Sequence, residues 1–311
     1  AVFLTRQYSF LKFFEFFFQV FYCRLSNAEF VEVAAQYYGL PSPACRPLLG
    51  LQIAGTRLRM DAYGTALASA TLPGDGWRRQ HDMLKWRLDE DMREMGIRSR
   101  TEVFGIFASA LPVSARLEAG RWTMRKRQGL VPDFVAAVPE PPQSPADAAD
   151  ELWELKTLHL GASTYPAHAE RCHAVERRAR AVLAERLNKA RQLDRQFCTT
   201  PQGRPGPVES RLLSFGPTRA LVFGHWAEAS EHVHALLSGC AHTGATRHWV
   251  AMRAREQCEA LGSLAWMLKR RWGLTAWRSA ARLVLDRLEY VGAGAPAVAI
   301  RRAAAQERAA A

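Results

Sequence analysis

The 311-residue sequence contains no Cys-x-x-Cys pair, and its six cysteines lie far apart, at positions 23, 45, 172, 198, 240 and 258. Paired cysteines at short spacing supply ligands in most structural zinc sites, so a complete zinc ribbon is excluded. A convincing secretory signal is also missing. We therefore expect reduced thiols, in a nuclear or cytoplasmic protein, rather than disulfides.

Several patterns of catalysis and membrane insertion are absent as well. The sequence has no glycine-rich phosphate loop, no serine-nucleophile elbow and no His-Glu-x-x-His motif. The phenylalanine-rich stretch at 3–22 is interrupted by charges at Lys12 and Glu15, which argues against a membrane-spanning helix. We interpret this stretch as an amphipathic helix and expect no membrane partner for the chain.

Basic residues are in excess. Lys and Arg number 42 against 30 Asp and Glu, which gives a net charge of +12. Such a surface favours an anionic partner, nucleic acid before an acidic membrane surface, and the alternative is a protein that is merely basic. Apolar residues make up 48% of the chain, enough for the core of one large domain or two smaller ones.

Two short apolar runs carry charged residues that paired strands would bring together. Asp133 lies in the run 130–138, and Glu154 and Lys156 stand two apart in the run 152–158. On a strand, a spacing of two puts both side chains on one face. Two carboxylates form a hard-oxygen site suited to Mg²⁺, and a nearby lysine can orient water or stabilise charge on a phosphate. The pattern therefore indicates phosphodiester hydrolysis; the alternative is a solvated strand face.

Hydrophobic periodicity predicts the order of the secondary-structure elements. A helix is expected at 27–38 and another at 78–96, followed by strands at 101–111, 130–138 and 151–159. One or two helices at 167–197 and a strand at 219–223 come next, and three helices follow at about 228–239, 247–271 and 275–289. This order predicts an α/β (α+β) fold with an αβββαβ core and extra C-terminal helices.

Pro132-Asp133, followed by Glu154-Leu155-Lys156, resembles the motif of the PD-(D/E)xK nucleases, which have the restriction-endonuclease-like fold. The resemblance covers residues 78–225 and leaves 1–77 as an N-terminal helical or irregular segment and 226–311 as a C-terminal helical extension. It implies a DNA endonuclease dependent on Mg²⁺ or Mn²⁺. In that family role, Asp133 and Glu154 bind the metal and Lys156 activates the attacking water. Glu102 is a further candidate carboxylate for the metal.

A second resemblance precedes the first. Cys45, the turn from Asp61 to Gly64, and the run Arg79-Gln80-His81-Asp82 resemble the Cys/His knuckle that precedes the endonuclease domain in some non-LTR retroelements. The histidine and the second cysteine of that pattern are missing here, so we predict no zinc site and a small buried Cys45. The resemblance implies a retroelement origin, target-DNA nicking, and RNA or the reverse transcriptase portion of a larger polyprotein as further partners.

His81 and Asp82 fall near the start of the helix predicted at 78–96. They either contribute to the active site or interact with the helix dipole, and both interpretations remain open.

Two sets of polar and basic residues are predicted to bind nucleic acid. Arg125, Lys126 and Arg127 belong to a run at 121–127 that also contains a tryptophan, a combination suited to phosphate contact and base stacking. Lys189, Arg191 and Gln192 lie on the helix after Lys156, where the resembled family holds substrate phosphates. The alternatives are a solvated turn for the first set and solvent-facing salt-bridge partners for the second.

The leading hypothesis is thus a Mg²⁺-dependent DNA endonuclease. The first rival is a catalytically inactive nucleic-acid-binding module of the same fold. The second rival is a helical interaction protein in which the Glu-x-Lys spacing is accidental.

Overall fold

A computed structural model describes residues 25–119, 130–139, 148–159, 164–165, 171–198 and 204–292. Within these ranges the chain forms eight α-helices and four strands. The helices are α1 (Asn27–Tyr38), α2 (Thr65–Ser69), α3 (Gly76–Met95), α4 (Val113–Ala119), α5 (Arg171–Phe197), α6 (Pro207–Leu213), α7 (Glu231–His248) and α8 (Gln257–Leu285). The strands are β1 (Ser99–Thr101), β2 (Phe134–Ala136), β3 (Glu151–Thr157) and β4 (Arg219–Phe223).

The four strands form one mixed sheet in the order β1-β2-β3-β4. The first three pair antiparallel, with Phe134 opposite both Thr101 and Trp153. β4 pairs parallel to β3, with Glu154 opposite Ala220, because the long helix α5 carries the chain back across the sheet between them. The fold is therefore mixed α and β, as periodicity predicts, but α4 lies between β1 and β2, and both α5 and α6 lie between β3 and β4.

The two faces of the sheet are covered by different helices, because side chains alternate along each strand. One face packs on α3, α7 and α8 and carries Phe134, Ala136, Trp153, Leu155, Leu221 and Phe223. The other face packs on α5: Val135 and Leu152 meet Ala190 and Leu193, while Ala220 and Val222 meet Val175, Ala179 and Val182. Glu154 and Lys156 alternate with the first set and so lie on the face that α5 covers.

The N-terminal part of the described chain packs against α8. α1 begins with a capping box, in which Ser26 Oγ accepts from the Glu29 amide and the Glu29 carboxylate accepts from the Ser26 amide. Beyond it, Cys45, Ile53 and Leu67 form a small cluster with Leu283 and Val284 of α8. Because α8 contributes to this cluster and to the large core beneath the sheet, packing crosses both boundaries of the three-part division at 77 and 225.

The strand predicted at 101–111 is wrong beyond its first residue. β1 ends at Thr101, and the chain turns at Glu102 and Gly105, whose φ angles are 49° and 73°. Positive φ values break the extended conformation, and a short 3₁₀ helix (Ala108–Ala110) and α4 follow. The apolar residues of this stretch pack as loop and helix, as Phe107, Leu111 and Ala115 do.

The C-terminal helices also differ from their predicted bounds. α8 combines residues 257–271 of the helix predicted at 247–271 with residues 275–285 of the one predicted at 275–289, and residues 249–256 are not helical. The helix predicted at 228–239 begins at Glu231 and extends to His248. Gly239 and Gly244 lie inside α7, although glycines in a sequence are typical of the end of a helix. In the fold they permit close packing instead, since a Cβ at either position would collide with Val138 or Met95.

Some predictions lie outside the described residues, namely the amphipathic helix at 3–22 and the basic run 121–127 with Arg125, Lys126 and Arg127. Among the helices that are described, none has the length and apolar character required to cross a membrane.

Candidate active site

Strand pairing brings the charged residues of the central motif to one end of the sheet. The β2–β3 register, continued by one residue, sets Asp133 opposite Glu154, and the Leu155 amide donates to Asp133 Oδ2 over 2.8 Å. Lys156 Nζ lies 2.5 Å from Glu154 Oε1 and 3.9 Å from Asp133 Oδ2. The structure therefore places Asp133, Glu154 and Lys156 together, as the spacing of the sequence predicts.

Asp133 is buried but surrounded by donors. Its Oδ2 atom lies 3.4 Å from Nε2 of His81, in addition to the contacts with Leu155 and Lys156. Burial would raise the pKa of Asp133, but the hydrogen bond and charge of His81, with those of Lys156 and the Leu155 amide, outweigh it and lower that pKa to about 2. Asp133 is therefore ionised at neutral pH despite its burial.

His81 connects α3 to this centre. Its Nε2 atom faces Asp133, and its Nδ1 atom lies 3.3 Å from Asp82 Oδ1. Burial alone would lower the pKa of His81, but its two carboxylate partners, Asp133 and Asp82, raise it to about 9. The ring is thus a cation at neutral pH, and of the two interpretations of the His-Asp pair the structure places His81 at the site.

Glu154 is held between two bases. Lys156 contacts one carboxylate oxygen, and Arg186 of α5 makes an ion pair with the other, although not in regular hydrogen-bond geometry. Arg186 cannot be singled out in the sequence, because α5 carries many arginines and only the packing of the helix on the sheet distinguishes this one. One indication was available in the sequence. Arg186 follows Ala179, which packs on β4, by seven residues, so both lie on the same face of the helix.

Glu102 takes part in a second network beside the first. Its amide donates to the carbonyl of Asp133 over 3.1 Å, which continues the same register across β1. Its side chain, however, pairs with the buried ammonium of Lys85, which also contacts Asp82 Oδ1 at 2.8 Å. Glu102 thus lies beside the candidate metal ligands Asp133 and Glu154, with its carboxylate engaged by Lys85.

The predicted nucleic-acid contacts of α5 have mixed surroundings. Lys189 Nζ approaches Gln192 Oε1 at 3.5 Å, and both residues lie on the outer part of the helix. Arg191 forms an ion pair of 2.9 Å with Glu209 of α6, so it helps to join two helices. The salt-bridge alternative thus describes Arg191, while Lys189 and Gln192 contact each other.

Charges at the centre are close to balanced. Four carboxylates, from Asp82, Glu102, Asp133 and Glu154, meet three permanent cations and protonated His81; the cations are Lys85, Lys156 and Arg186. The exposed members are of both signs: the side chains of Lys156 and Arg186 are 29% and 20% accessible and those of Asp82 and Glu102 are 26% and 23%, whereas Asp133, Glu154 and Lys85 are almost fully enclosed. Among the three motif residues, Lys156 is therefore the one that a ligand arriving from solvent would meet first.

The donor chemistry fits a hard divalent cation. Asp133 and Glu154 offer carboxylate oxygens, and Mg²⁺ in phosphate-processing sites is often bound by one or two carboxylates while water and substrate supply the remainder. Across the described ranges, no group of three His, Cys, Asp or Glu side chains is arranged to hold a metal ion. A metal at this centre would thus be a two-carboxylate one, in competition with Lys156 and Arg186 for Glu154.

In the upstream knuckle-like region, hydrogen bonds to Asp61 stabilise the turn. Asp61 accepts hydrogen bonds from the amides of Tyr63 and Thr65 at 2.8 and 3.1 Å and so caps α2. Cys45 is completely buried against Gly64 and Val284, and burial raises the pKa of its thiol to about 11. The prediction of Cys45 as a small buried residue is confirmed.

Comparisons of the chain with protein-family models, with curated proteins and with solved structures found no match.

Proposed function

We propose that the chain is a divalent-metal-dependent endonuclease that hydrolyses DNA phosphodiesters at the centre formed by Asp133, Glu154 and Lys156. The observation that supports the proposal is the convergence of two enclosed carboxylates and a partly exposed ammonium at one end of a mixed sheet. The proposal is supported by a sheet with three antiparallel strands and a parallel β4 reached through α5, a feature of the restriction-endonuclease-like fold that the sequence resembles, and a retroelement origin with target-DNA nicking is part of the same proposal.

Each residue has a distinct role in this proposal. Asp133 and Glu154 would hold Mg²⁺ or Mn²⁺, which when bound supplies an activated water and neutralises charge on the phosphate. Lys156 orients the attacking water or stabilises the charge that develops on the scissile phosphate. His81 holds Asp133 in position and ionised, and Arg186 holds Glu154 in position.

A second candidate function is a nucleic-acid-binding module that does not cleave. One observation favours it: the carboxylates of the centre are already neutralised by Lys156, Arg186 and His81, as in a purely structural ion-pair network. In this case the excess of basic residues would hold DNA and the centre would only stabilise the sheet.

Nicking of supercoiled plasmid by the purified chain separates these functions. We expect nicking that requires Mg²⁺ or Mn²⁺, stops with EDTA, and is lost in Asp133→Asn and Lys156→Met while DNA retention persists. Asp150→Asn is the matched control, because Asp150 forms an exposed ion pair with Arg100 away from the centre. DNA retention without metal-dependent nicking in the wild type would support the binding module, and neither activity would support a helical interaction protein.

A further inference from the structure

A cleft opens beyond the end of β4, outside the centre described above. Its aromatic walls are Tyr63, His225 and Trp226, its rim includes Leu40, and Gln36 supplies an amide. The cleft holds about 210 Å³. This is less than the about 300–1,000 Å³ of pockets that enclose drug-sized molecules, so the cleft admits a single flat ring rather than a larger ligand.

The walls of the cleft are suited to stacking. The ring of Trp226 lies 5.1 Å from that of His225 and 4.9 Å from that of Tyr165, centroid to centroid, and both pairs are edge to face. The guanidinium of Arg171 lies 4.1 Å from the centroid of Trp226. Burial lowers the pKa of His225 to about 4, so the ring is neutral and adds a flat polar face rather than a charge.

Gln36 gives the cleft a hydrogen-bonding group that the described chain leaves unused. Its Oε1 atom is buried and has no hydrogen-bond partner among the described residues. A buried amide oxygen without a donor destabilises the protein, and a rotation of the Gln36 side chain into the cleft would let a ligand N–H complete the bond. The exocyclic amino group or ring N–H of a nucleobase is such a donor.

The cleft and the candidate centre share one end of the sheet. β3 and β4 run parallel, with Lys156 opposite Val222, and His225 and Trp226 follow directly after β4. His159 follows β3, and its ring is 6.5 Å from that of Trp77, one helical turn before His81 on α3. The cleft and the centre therefore lie beyond the ends of neighbouring strands at the same edge.

We propose that this cleft binds an unpaired nucleobase of the DNA strand whose backbone lies at the Asp133–Lys156 centre. The proposal rests on the proposed function in taking DNA as the partner, but not on catalysis. Stacking against Trp226 and Tyr63 would hold the base, Gln36 would contact its edge, and Arg171 would meet the adjacent phosphate. Bases stack on aromatic side chains with little sequence preference, so the cleft recognises that a base is unpaired rather than which base it is.

Binding of a strand with a single base tests the cleft directly. The probe is a DNA strand of about ten nucleotides that is abasic at every position but one, where it carries fluorescent 2-aminopurine. The reference is the same strand without any base, and both are measured in EDTA so that no cleavage occurs. We expect the single base to raise affinity about tenfold and to be quenched on binding, as stacking on an aromatic ring implies. Equal affinity of the two strands, or an unquenched probe, would overturn the proposal.

Two variants identify the cleft as the place of binding. Trp226→Leu should remove the preference for the single base, whereas Trp266→Leu should keep it. Trp266 is the matched control because it is an exposed tryptophan with an arginine, Arg270, 4.6 Å over its ring, on α8 away from the cleft. Equal losses in both variants would show that any surface tryptophan suffices and would contradict the assignment.

The Gln36→Met variant separates a loss of base binding from a loss of folding. Methionine has nearly the same length and removes a buried oxygen that lacks a partner, so the melting temperature should hold or rise while the preference for the single base falls severalfold. A melting temperature that falls, with the preference unchanged, would show that the amide has a structural role and would overturn its assignment to the ligand.

The failure of this inference is distinguishable from failure of the proposed function. Asp133→Asn should bind the single-base probe as the wild type does, even though it cannot nick plasmid. Metal-dependent nicking without preference for the single base would retain the nuclease and exclude the cleft. The preference without nicking would retain the cleft and favour the non-cleaving module.

Discussion

Two aspartates of this protein are almost equally enclosed, yet their pKa values shift in opposite directions. Asp91, between α3 and α8, has the Arg271 ion pair at 2.7 Å and the Trp272 indole N–H at 2.8 Å, and burial raises its pKa to about 6. Asp133, at the sheet end, has a pKa of about 2 because its hydrogen bonds and neighbouring cations outweigh burial. Burial alone therefore does not identify a functional carboxylate.

The difference lies in what surrounds each acid. The Asp91 cluster is closed by helix packing, and Arg271 is enclosed together with it. The cluster of Asp133 has carboxylates on neighbouring strands and cations that reach solvent, as Lys156 does. Buried ion pairs within a helical interface serve structure, whereas a group of acids with accessible cations can exchange its partners for a ligand.

The largest expected effect is on catalysis, at Lys156. Lys156→Met should reduce the metal-dependent nicking rate by about a thousandfold, because the charge on the scissile phosphate loses its nearest ammonium. The free energy of unfolding should change by less than about 1 kcal/mol, since this ion pair is partly exposed. Single-turnover nicking and urea denaturation measure the two quantities. A stability loss as large as the activity loss would place Lys156 in the structural class with Arg271.

The next effect is on stability, at Arg271. Arg271→Met should lower the free energy of unfolding by about 3 kcal/mol, because it leaves Asp91 buried without a counter-charge. In a double-mutant cycle, Asp91→Asn should recover much of the loss, since the uncompensated charge is then gone. Arg100→Met is the control, because it breaks only the exposed pair with Asp150. Similar losses of stability in the two arginine variants would contradict the distinction between an ion pair enclosed by helix packing and one that reaches solvent.

The free energy of unfolding should depend on pH through two groups, one that adds stability at acidic pH and one whose contribution is lost at alkaline pH. Asp91 binds its proton more tightly in the folded state, since its pKa is raised from 3.8 to about 6, so it adds up to about 3 kcal/mol as pH falls from 6 to 4. His81, with its pKa raised to about 9, stabilises the fold below pH 6.5, and this contribution is lost as pH rises through 9.

The free energy of unfolding, measured by denaturation at several pH values, checks both contributions. Asp91→Asn should abolish the gain on acidification, and His81→Gln should flatten the alkaline decline. A wild type whose stability is insensitive over both intervals would contradict the assigned environments.

The smallest effect is expected at Lys189. Lys189→Ala should weaken DNA retention two- to threefold, about what one phosphate contact contributes, and lower the slope of log affinity against log salt by about one. Arg191→Ala should change retention less, because its guanidinium is already paired with Glu209. The reverse order would show that the ion pair opens and that Arg191 contacts the DNA.

Much of the centre is predictable from local sequence, because strand geometry fixes it. Spacing by two places Glu154 and Lys156 on one face, and the apolar run around Asp133 predicts its neighbouring strand. The engagement of Glu102 by Lys85 is not predictable, because it depends on a turn with positive φ that ends β1 early. Arg186 is likewise hidden among the arginines of α5 and is distinguished only by how that helix crosses the sheet.

The fold is likewise predictable from the sequence only in part. Periodicity predicts a mixed α and β fold, but it predicts neither α4 between β1 and β2 nor the length of α7. Gly239 and Gly244 are typical of a helix end and are tolerated here because neighbouring side chains occupy the space above them. Such close packing is a tertiary property without a local signature. The cleft near Trp226 also escaped the sequence analysis, because its walls come from segments far apart in the chain.

The account is tested most directly by the nicking rate of Asp133→Asn compared with that of Asp91→Asn, at equal concentrations of folded protein with Mg²⁺ or Mn²⁺. Both substitutions neutralise one enclosed aspartate. The account predicts that Asp133→Asn loses metal-dependent nicking by about a thousandfold or more, while Asp91→Asn stays within about threefold of wild type. Equal rates for the two variants, or a wild type that does not nick DNA with either metal, would contradict it.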